Sequence, residues 1–314
     1  MPQETGPRRT HKYARLYAHF GDGDMFALAV SENLPRTRKK NVDANARGPI
    51  PVIAGSSEAY GALTEAREQA IADAAKEVEQ AKRDCRAQVA HVREKERVLE
   101  AMAGPGGRFA DTLGPQFASL QQQVADANAK LAALEAARDD LAIELEAVSA
   151  TTVLEPEALA LLDPLETKLS VLGHGAAGSG ELATEPGSKR TFTLRAVART
   201  FKALGLSPDF VSVKLPSCES ADLKERTAFE SDPPASRGRF VKVRAPAQIL
   251  ADEMRRAGFA EARVTGYQGI GWMTPPGRTA LQQAGPVFDE ETARRRSEVA
   301  KIFTPRPKQL LPCL

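Results

Sequence analysis

The chain has 314 residues, 42% of them hydrophobic and 27% charged, with a net charge of +2. Its length suits one large domain or two ordinary ones, and its composition is that of a folded soluble protein rather than a disordered or fibrous one. An apolar run of 18 residues is lacking, so we expect no membrane span, and the first residues lack the apolar segment of a secretory signal peptide.

Residues 1–57 are predicted to form the first part of an α/β domain. The apolar runs "DMFALAVS" (24–31) and "IPVIAGS" (50–56) indicate two strands. Between them, "NLPRTRKKNVDANARGP" is typical of an exposed basic loop.

Residues 58–150 are rich in good helix formers and carry a seven-residue apolar repeat in each half. "AGPGG" (103–107) breaks the helical pattern between the halves, which predicts an antiparallel coiled-coil hairpin inserted in the α/β domain. Gln88, Lys95 and Arg138 interrupt the repeat. The seam positions are Ile71, Ala74, Val78, Ala81, Cys85, Val92, Leu99 and Met102 in the first half, and Phe117, Leu120, Val124, Ala127, Leu131, Leu134, Leu141, Leu145 and Val148 in the second.

Residues 151–314 alternate between strand and helix patterns, which predicts a parallel sheet. "KLSVLGHG" (168–175) and "DFVSVKLPSC" (209–218) indicate strands on either side of an amphipathic helix, "FTLRAVARTFKALGL" (192–206). Further on, the chain reads as a helix within 238–259, a strand and hairpin within 261–281, and a last charged helix at 289–303.

His174 and Cys218 follow two strands that one helix separates in the sequence. Such strands usually lie side by side and parallel, so their carboxyl ends meet at one edge, where open α/β sheets place their sites. Taken singly, each residue is more often structural than catalytic, but their equivalent positions favour a nucleophile and base for acyl transfer. Gly175 leaves room for a substrate carbonyl, and its N–H is a candidate oxyanion donor.

The segment 168–303 resembles the caspase-like cysteine peptidase superfamily, and most closely the self-cleaving cysteine protease domains of RTX-type and large glucosylating toxins. The resemblance rests on "VLGHG", "TLRAVARTFKALG", "VSVKLPSCES", "APAQILADEMRRAGF" and the flap-like "ARVTGYQGIGWMTPPGR". It implies a caspase-like, mostly parallel sheet flanked by helices, with His174 as base, Cys218 as nucleophile and an oxyanion hole near Gly175 and Cys218. It further implies a cysteine endopeptidase, of effector or toxin type, that cleaves a protein substrate or itself.

In those toxin domains inositol hexakisphosphate binds a basic pocket beside the flap and activates the site. The matching residues here are Arg263 and Arg278, with Lys242 and Arg244 nearby, in a segment (237–308) that carries fourteen basic and seven acidic side chains. The toxin domains can also use an early acidic residue, for which Asp22 and Asp24 are the only nearby candidates. No role is assigned to His11, His19 or His91.

Two other interpretations stay open from the residues alone. The chain is alternatively a non-enzymatic interaction protein, in which the helical hairpin binds a partner and the α/β part is a degenerate scaffold. A phosphate cradle at "GAAGSG" (175–180) is disfavoured because no Lys-Ser or Lys-Thr pair follows it. The three cysteines have no metal-site spacing, so we expect no metal, and we expect no nucleic-acid partner. The expected location is the cytoplasm, or the exterior after secretion without a classical signal peptide.

Overall fold

The computed structural model describes residues 13–17, 23–103, 114–184, 190–225, 228–229, 244–272, 281–285 and 287–306. It forms two compact units, residues 1–67 with 151–314 and residues 68–150. Within the described ranges, every helix is too short or too polar to cross a bilayer.

In chain order the elements are β1 (Tyr13–Tyr17), α1 (Gly23–Val42), β2 (Val52–Ala54), α2 (Ser57–Ala103), α3 (Gly114–Ala150), β3 (Val153–Leu154), a 3-10 helix (Pro156–Leu161), β4 (Lys168–Val171), β5 (Glu181–Ala183), β6 (Thr191–Thr193), α4 (Leu194–Ala203), β7 (Ser212–Lys214), α5 (Pro246–Ala257), β8 (Arg263–Tyr267), β9 (Ile270–Trp272), β10 (Leu281–Gln283), β11 (Arg294–Arg295) and β12 (Ala300–Phe303).

The first unit is built on a seven-stranded sheet in the order β12-β8-β7-β4-β1-β2-β3. Neighbouring strands are parallel except β12, which runs antiparallel to β8 at one edge. Apolar side chains alternate along the strands, so Leu169, Val171 and Val213 are fully buried in one core with residues of α4 and α5. The predicted α/β class is confirmed.

Both helices on this core have the start and stop signals that their sequences predict. The Thr193 side chain accepts a hydrogen bond from the Ala196 N–H at the start of α4, and Pro246 opens α5. Gly258 ends α5 in the left-handed conformation. Phe201 of α4 packs edge-to-face against Phe259, which follows α5, with ring centroids 6.4 Å apart. The two helices are therefore held as one layer behind β4 and β7.

The prediction for residues 24–49 is wrong in part. Residues 24–31 form the first half of α1, not a strand, and α1 continues through much of the expected basic loop despite Pro35. Phe26, Ala29, Asn33 and Thr37 are buried at helical spacing, so packing of one face outweighs the hydrogen bond lost at the proline. The strand predicted at 50–56 is confirmed as β2.

The prediction of a helix at 289–303 is wrong. Residues 294–295 form β11 and residues 300–303 form β12, which pairs with β8. The edge of β8 presents unpaired backbone groups, and pairing with β12 satisfies them, which local charge patterning could not reveal. Other features were not predicted: the strand β1, which lies between β4 and β2, the edge strand β3, the 3-10 helix and the β5–β6 hairpin.

The second unit consists of α2 and α3 packed in opposite directions. Gln88 Nε2 donates to the Ala127 carbonyl at 2.9 Å, and Lys95 Nζ donates to Gln123 Oε1 at 2.8 Å. Two of the polar residues that interrupt the apolar repeat therefore bond across to the facing helix. The buried residues of this unit are Val78, Cys85, Gln88, Val92, Ala127, Ala147 and Val148, and all of them except Ala147 lie in the rows of the predicted seam.

Candidate active site

The strands β4 and β7 bring His174 and Cys218 to the same edge of the sheet. Their parallel register pairs Leu169 with Val213 and Ser170 with Lys214, an offset of 44 residues. The same offset joins His174 to Cys218, and each lies a few residues beyond the carboxyl end of its strand. Both are partly exposed, as groups that meet a substrate must be.

Gly175 packs directly against the backbone of the cysteine loop. A Cβ atom at this position would lie 2.8 Å from Ser217 Oγ and 3.1 Å from the Cys218 carbonyl oxygen. Both distances are shorter than ordinary van der Waals contacts, so a residue larger than glycine would have to displace the Ser217 side chain and the Cys218 backbone. The loop after β4 therefore touches the loop after β7 at the residue next to His174.

The backbone of His174 is fixed by the unpredicted β5–β6 hairpin. The His174 N–H donates to the Ala183 carbonyl at 2.8 Å, and the Ala183 N–H donates to the His174 carbonyl at 2.8 Å. Partial burial lowers the pKa of His174 below its ordinary value of 6.5. The imidazole is therefore neutral at neutral pH and able to accept a proton.

The Cys218 sulfur lies against the first strand of the predicted flap. The Gly271 N–H of β9 donates a hydrogen bond to Cys218 Sγ at 3.4 Å, which helps to fix the position of the sulfur. Within the described residues, the backbone N–H groups of Gly175 and Cys218 donate no hydrogen bond. Neither donor is used within this part of the chain, so both stay candidates for binding a ligand oxygen.

An imidazole, a thiol and two backbone donors that the described residues do not use, all at one sheet edge, are the kinds of group that acyl transfer requires. Comparisons with protein-family models, with curated proteins and with solved structures find no match to this chain. The chemistry of the described residues therefore carries the functional argument. Among these residues, no group of three or more His, Cys, Asp or Glu side chains is arranged to hold a metal ion.

Two acidic residues after Cys218, which the sequence analysis did not single out, tie the loops of this edge together. The Glu219 carboxylate accepts the Ala177 N–H at 3.1 Å, while the Glu219 N–H donates to the Gly269 carbonyl at 2.7 Å. The Asp222 carboxylate accepts the Gly269 N–H at 2.7 Å. Glu219 is buried and has a φ of 52°, an unfavourable conformation that these bonds maintain. The signal in the sequence was the pair of acids within four residues of the cysteine.

Of the four proposed activator residues, the structure describes Arg244 and Arg263. Arg244 forms an ion pair with Asp252 of α5 at 3.1 Å. Arg263 is exposed at the amino end of β8, whereas Cys218 lies beyond the carboxyl end of the neighbouring strand. Lys242 and Arg278 lie outside the described residues.

A different group of cations gathers around Lys214 on β7. Burial lowers the pKa of Lys214, and the positive charges of Lys168, Arg36, Arg296 and Arg47 lower it further. Lys168 and Lys214 alternate with buried apolar residues on their strands, so they project from the sheet face opposite the core of α4 and α5. The Arg296 guanidinium stacks over the Tyr267 ring at 5.5 Å. The alternation of lysine with apolar residues was the available sequence signal.

The remaining candidates add no chemistry to this edge. Cys85 is buried and His91 is exposed, both on α2. Asp24 lies at the start of α1. His11, His19, Asp22 and Cys313 lie outside the described residues.

Proposed function

We propose that this chain is a cysteine endopeptidase of caspase-like fold, with Cys218 as nucleophile and His174 as general base. The observation that carries the proposal is the 44-residue register of β4 and β7, together with the close contact between Gly175 and the Cys218 backbone. The mostly parallel sheet flanked by helices, with the histidine strand beside the cysteine strand, is the arrangement that the sequence resemblance implies.

The proposed reaction uses the groups at this edge in two steps. The neutral His174 imidazole takes the proton of the Cys218 thiol, and the sulfur attacks the carbonyl carbon of the scissile bond. The N–H groups of Gly175 and Cys218 stabilise the resulting oxyanion. The imidazolium returns its proton to the amine leaving group as the carbon–nitrogen bond breaks. His174 then removes a proton from water, which attacks the thioester and releases the acid and the free thiol.

Alkylation of the cysteines tests the assignment without knowledge of the substrate. A thiol-alkylating peptide should label Cys218 in preference to Cys85 and Cys313, because an imidazole assists only the first. His174→Ala should slow the labelling of Cys218 by about 10²–10⁴-fold, the usual value of base assistance. Cys218→Ala should abolish cleavage of the protein itself or of a peptide library, whereas Cys85→Ala should retain it. Cleavage by Cys218→Ala contradicts the proposal, and equal labelling of all three cysteines favours the non-enzymatic alternative.

We further propose that α2 and α3 form an antiparallel coiled coil. The support is the pair of hydrogen bonds between the helices and the burial of seam positions at seven-residue spacing, such as Val78, Cys85 and Val92. In this arrangement the hairpin is an insertion between the neighbouring strands β2 and β3.

We also propose that the cluster around Lys214 holds an activating polyanion such as inositol hexakisphosphate, while Arg263, Arg278, Lys242 and Arg244 stay candidates for the same ligand. The support is that Lys168 and Lys214 lie on the same face of the neighbouring strands β4 and β7, where a polyanion would pair with both lysines. When bound, the polyanion supplies negative charge only, and no step of the reaction depends on it.

Calorimetry and thermal denaturation test this site independently of activity. Inositol hexakisphosphate should raise the Tm of the unaltered protein, and Lys168→Met with Lys214→Met should weaken its binding by about tenfold or more. The matched control is Lys202→Met, which alters an exposed lysine of α4 on the other side of the sheet. Equal weakening by the control would show that only net charge matters and would contradict the site.

A further inference from the structure

The second unit carries a groove that the proposed peptidase reaction does not use. It has a volume of about 470 Å³ and lies between α2 and α3. Its apolar lining consists of Cys85, Val89 and Ala90. Four cations and one acid complete the lining: Lys82, Arg86, Arg93, Arg138 and Glu135.

The groove occurs where an arginine replaces an apolar residue of the seam. Arg138 stands in the row of Val124, Leu131 and Leu145. Unlike Gln88 and Lys95, it is not bonded across to the other helix in the described structure; its guanidinium binds Asp139, its own neighbour, at 2.7 Å. Packing between the helices therefore does not account for a charged side chain at this position.

The charge of the groove is opposite to that of the unit around it. Residues 68–150 contain 15 acidic and 10 basic side chains, whereas the groove is lined by four cations and a single acid. Two of these cations are already paired, Lys82 with Glu79 at 2.6 Å and Arg138 with Asp139 at 2.7 Å. Arg86 and Arg93 are exposed and form no hydrogen bond or ion pair within the described part of the chain. These two arginines therefore supply the unpaired positive charge beside the apolar lining.

We propose that this groove is a docking site for an acidic, amphipathic helical segment of a partner protein. From Lys82 to Arg93 the groove extends about 16 Å along α2, which matches about three turns of a bound helix. The apolar lining favours a peptide that supplies leucine-like side chains beside its carboxylates. Nucleic acid is disfavoured, because Cys85, Val89 and Ala90 offer a phosphate backbone no polar contact.

The probe is a fluorescein-labelled helical peptide of about twelve residues, with glutamates on one face and leucines beside them. Fluorescence anisotropy with the full chain should show saturable binding that weakens as salt is raised. A peptide of the same length with lysines in place of the glutamates should bind at least about tenfold more weakly, which corresponds to about 1.4 kcal/mol.

Charge reversals with a matched control locate the binding. Arg86→Glu with Arg93→Glu should weaken binding about tenfold or more, whereas Arg83→Glu with Arg97→Glu, the same change at exposed positions of α2 outside the groove, should change it less than about twofold. Arg138→Leu, which restores the apolar seam, should abolish binding while the helices stay folded by circular dichroism. The proposal is overturned by absence of saturable binding, by equal effects of the two reversals, by equal binding of the lysine peptide, or by tighter binding of a short single-stranded RNA.

Discussion

Replacement of Gly175 by alanine tests most directly whether the contact between the two loops controls the chemistry. The added Cβ would lie 2.8 Å from Ser217 Oγ, 3.0 Å from Ser217 Cβ and 3.1 Å from the Cys218 carbonyl oxygen. The Ser217 hydroxyl is buried without a hydrogen-bond partner in the described residues, so it can turn away at little cost. The Cys218 carbonyl belongs to the backbone and can move only with the nucleophile.

The expected loss can be derived from these distances. Overpacking of this kind costs about 1–3 kcal/mol of stability, partly offset by about 0.4–1 kcal/mol from the reduced freedom of the unfolded chain. The Cys218 carbonyl must move by a few tenths of an ångström to admit the Cβ, and a displacement of about 1 Å costs about 10²-fold in rate. We therefore expect the alkylation of Cys218 by a peptidyl reagent to slow by roughly 3- to 10-fold, whereas the free energy of unfolding falls by less than about 3 kcal/mol.

Gly180→Ala is the matched control, because its Cβ would meet nothing closer than Ile249 Cδ1 at 4.0 Å. This variant should label at the normal rate and be at least as stable as the unaltered protein. The rate is measured by mass spectrometry of the labelled peptide, and stability is measured by urea denaturation. Combining Gly175→Ala with Ser217→Gly should recover part of the rate, since only the carbonyl contact then remains. If Gly175→Ala labels as fast as Gly180→Ala, the loop contact does not position the cysteine and the reasoning fails.

Three further predictions concern charge and pH. Burial lowers the pKa of His174 below 6.5, so the rate of Cys218 alkylation should fall to half of its maximum, on acidification, at a pH below 6.5. This loss of rate should be absent in His174→Ala, and a midpoint above pH 6.5 would contradict the assignment. The folded state also lowers the pKa of Lys214 below 10.5, its value in the unfolded chain. Between the folded and the unfolded pKa the unfolded chain binds more protons, so the free energy of unfolding rises with pH in that range. Lys214→Met should remove this rise, measured by urea denaturation, and should stabilise the protein by about 0.5–1 kcal/mol at neutral pH. Glu219→Ala should leave the Ala177 N–H without its acceptor, which should cost about 1–3 kcal/mol of stability and slow the alkylation of Cys218. Glu219→Gln keeps an acceptor oxygen and should retain most of the alkylation rate. Equal rates in the two variants would show that Glu219 does not position the loops.

The sequence by itself determined the elements whose signals are local. The long helices α2 and α3, the glycine-terminated helices α4 and α5, and the apolar strands β4 and β7 are all present in the structure. Their periodicity, caps and breakers act within a few residues of each other, so they can be recognised before any tertiary contact is known. The same local patterns placed His174 and Cys218 beyond the ends of strands that proved to be neighbours.

Tertiary structure decided the features that depend on distant partners. Residues 24–31 are helical because one face of α1 is buried, with the Asn33 amide bonded to Ile50 and Thr151, far away in the chain. Residues 300–303 form a strand because the edge of β8 needs a partner, and an edge strand carries no periodic signal of its own. The cations around Lys214 converge from several separate elements, and Glu219 is linked to Ala177, 42 residues away. Such groupings depend on how the sheet brings distant segments together, which local patterning does not encode.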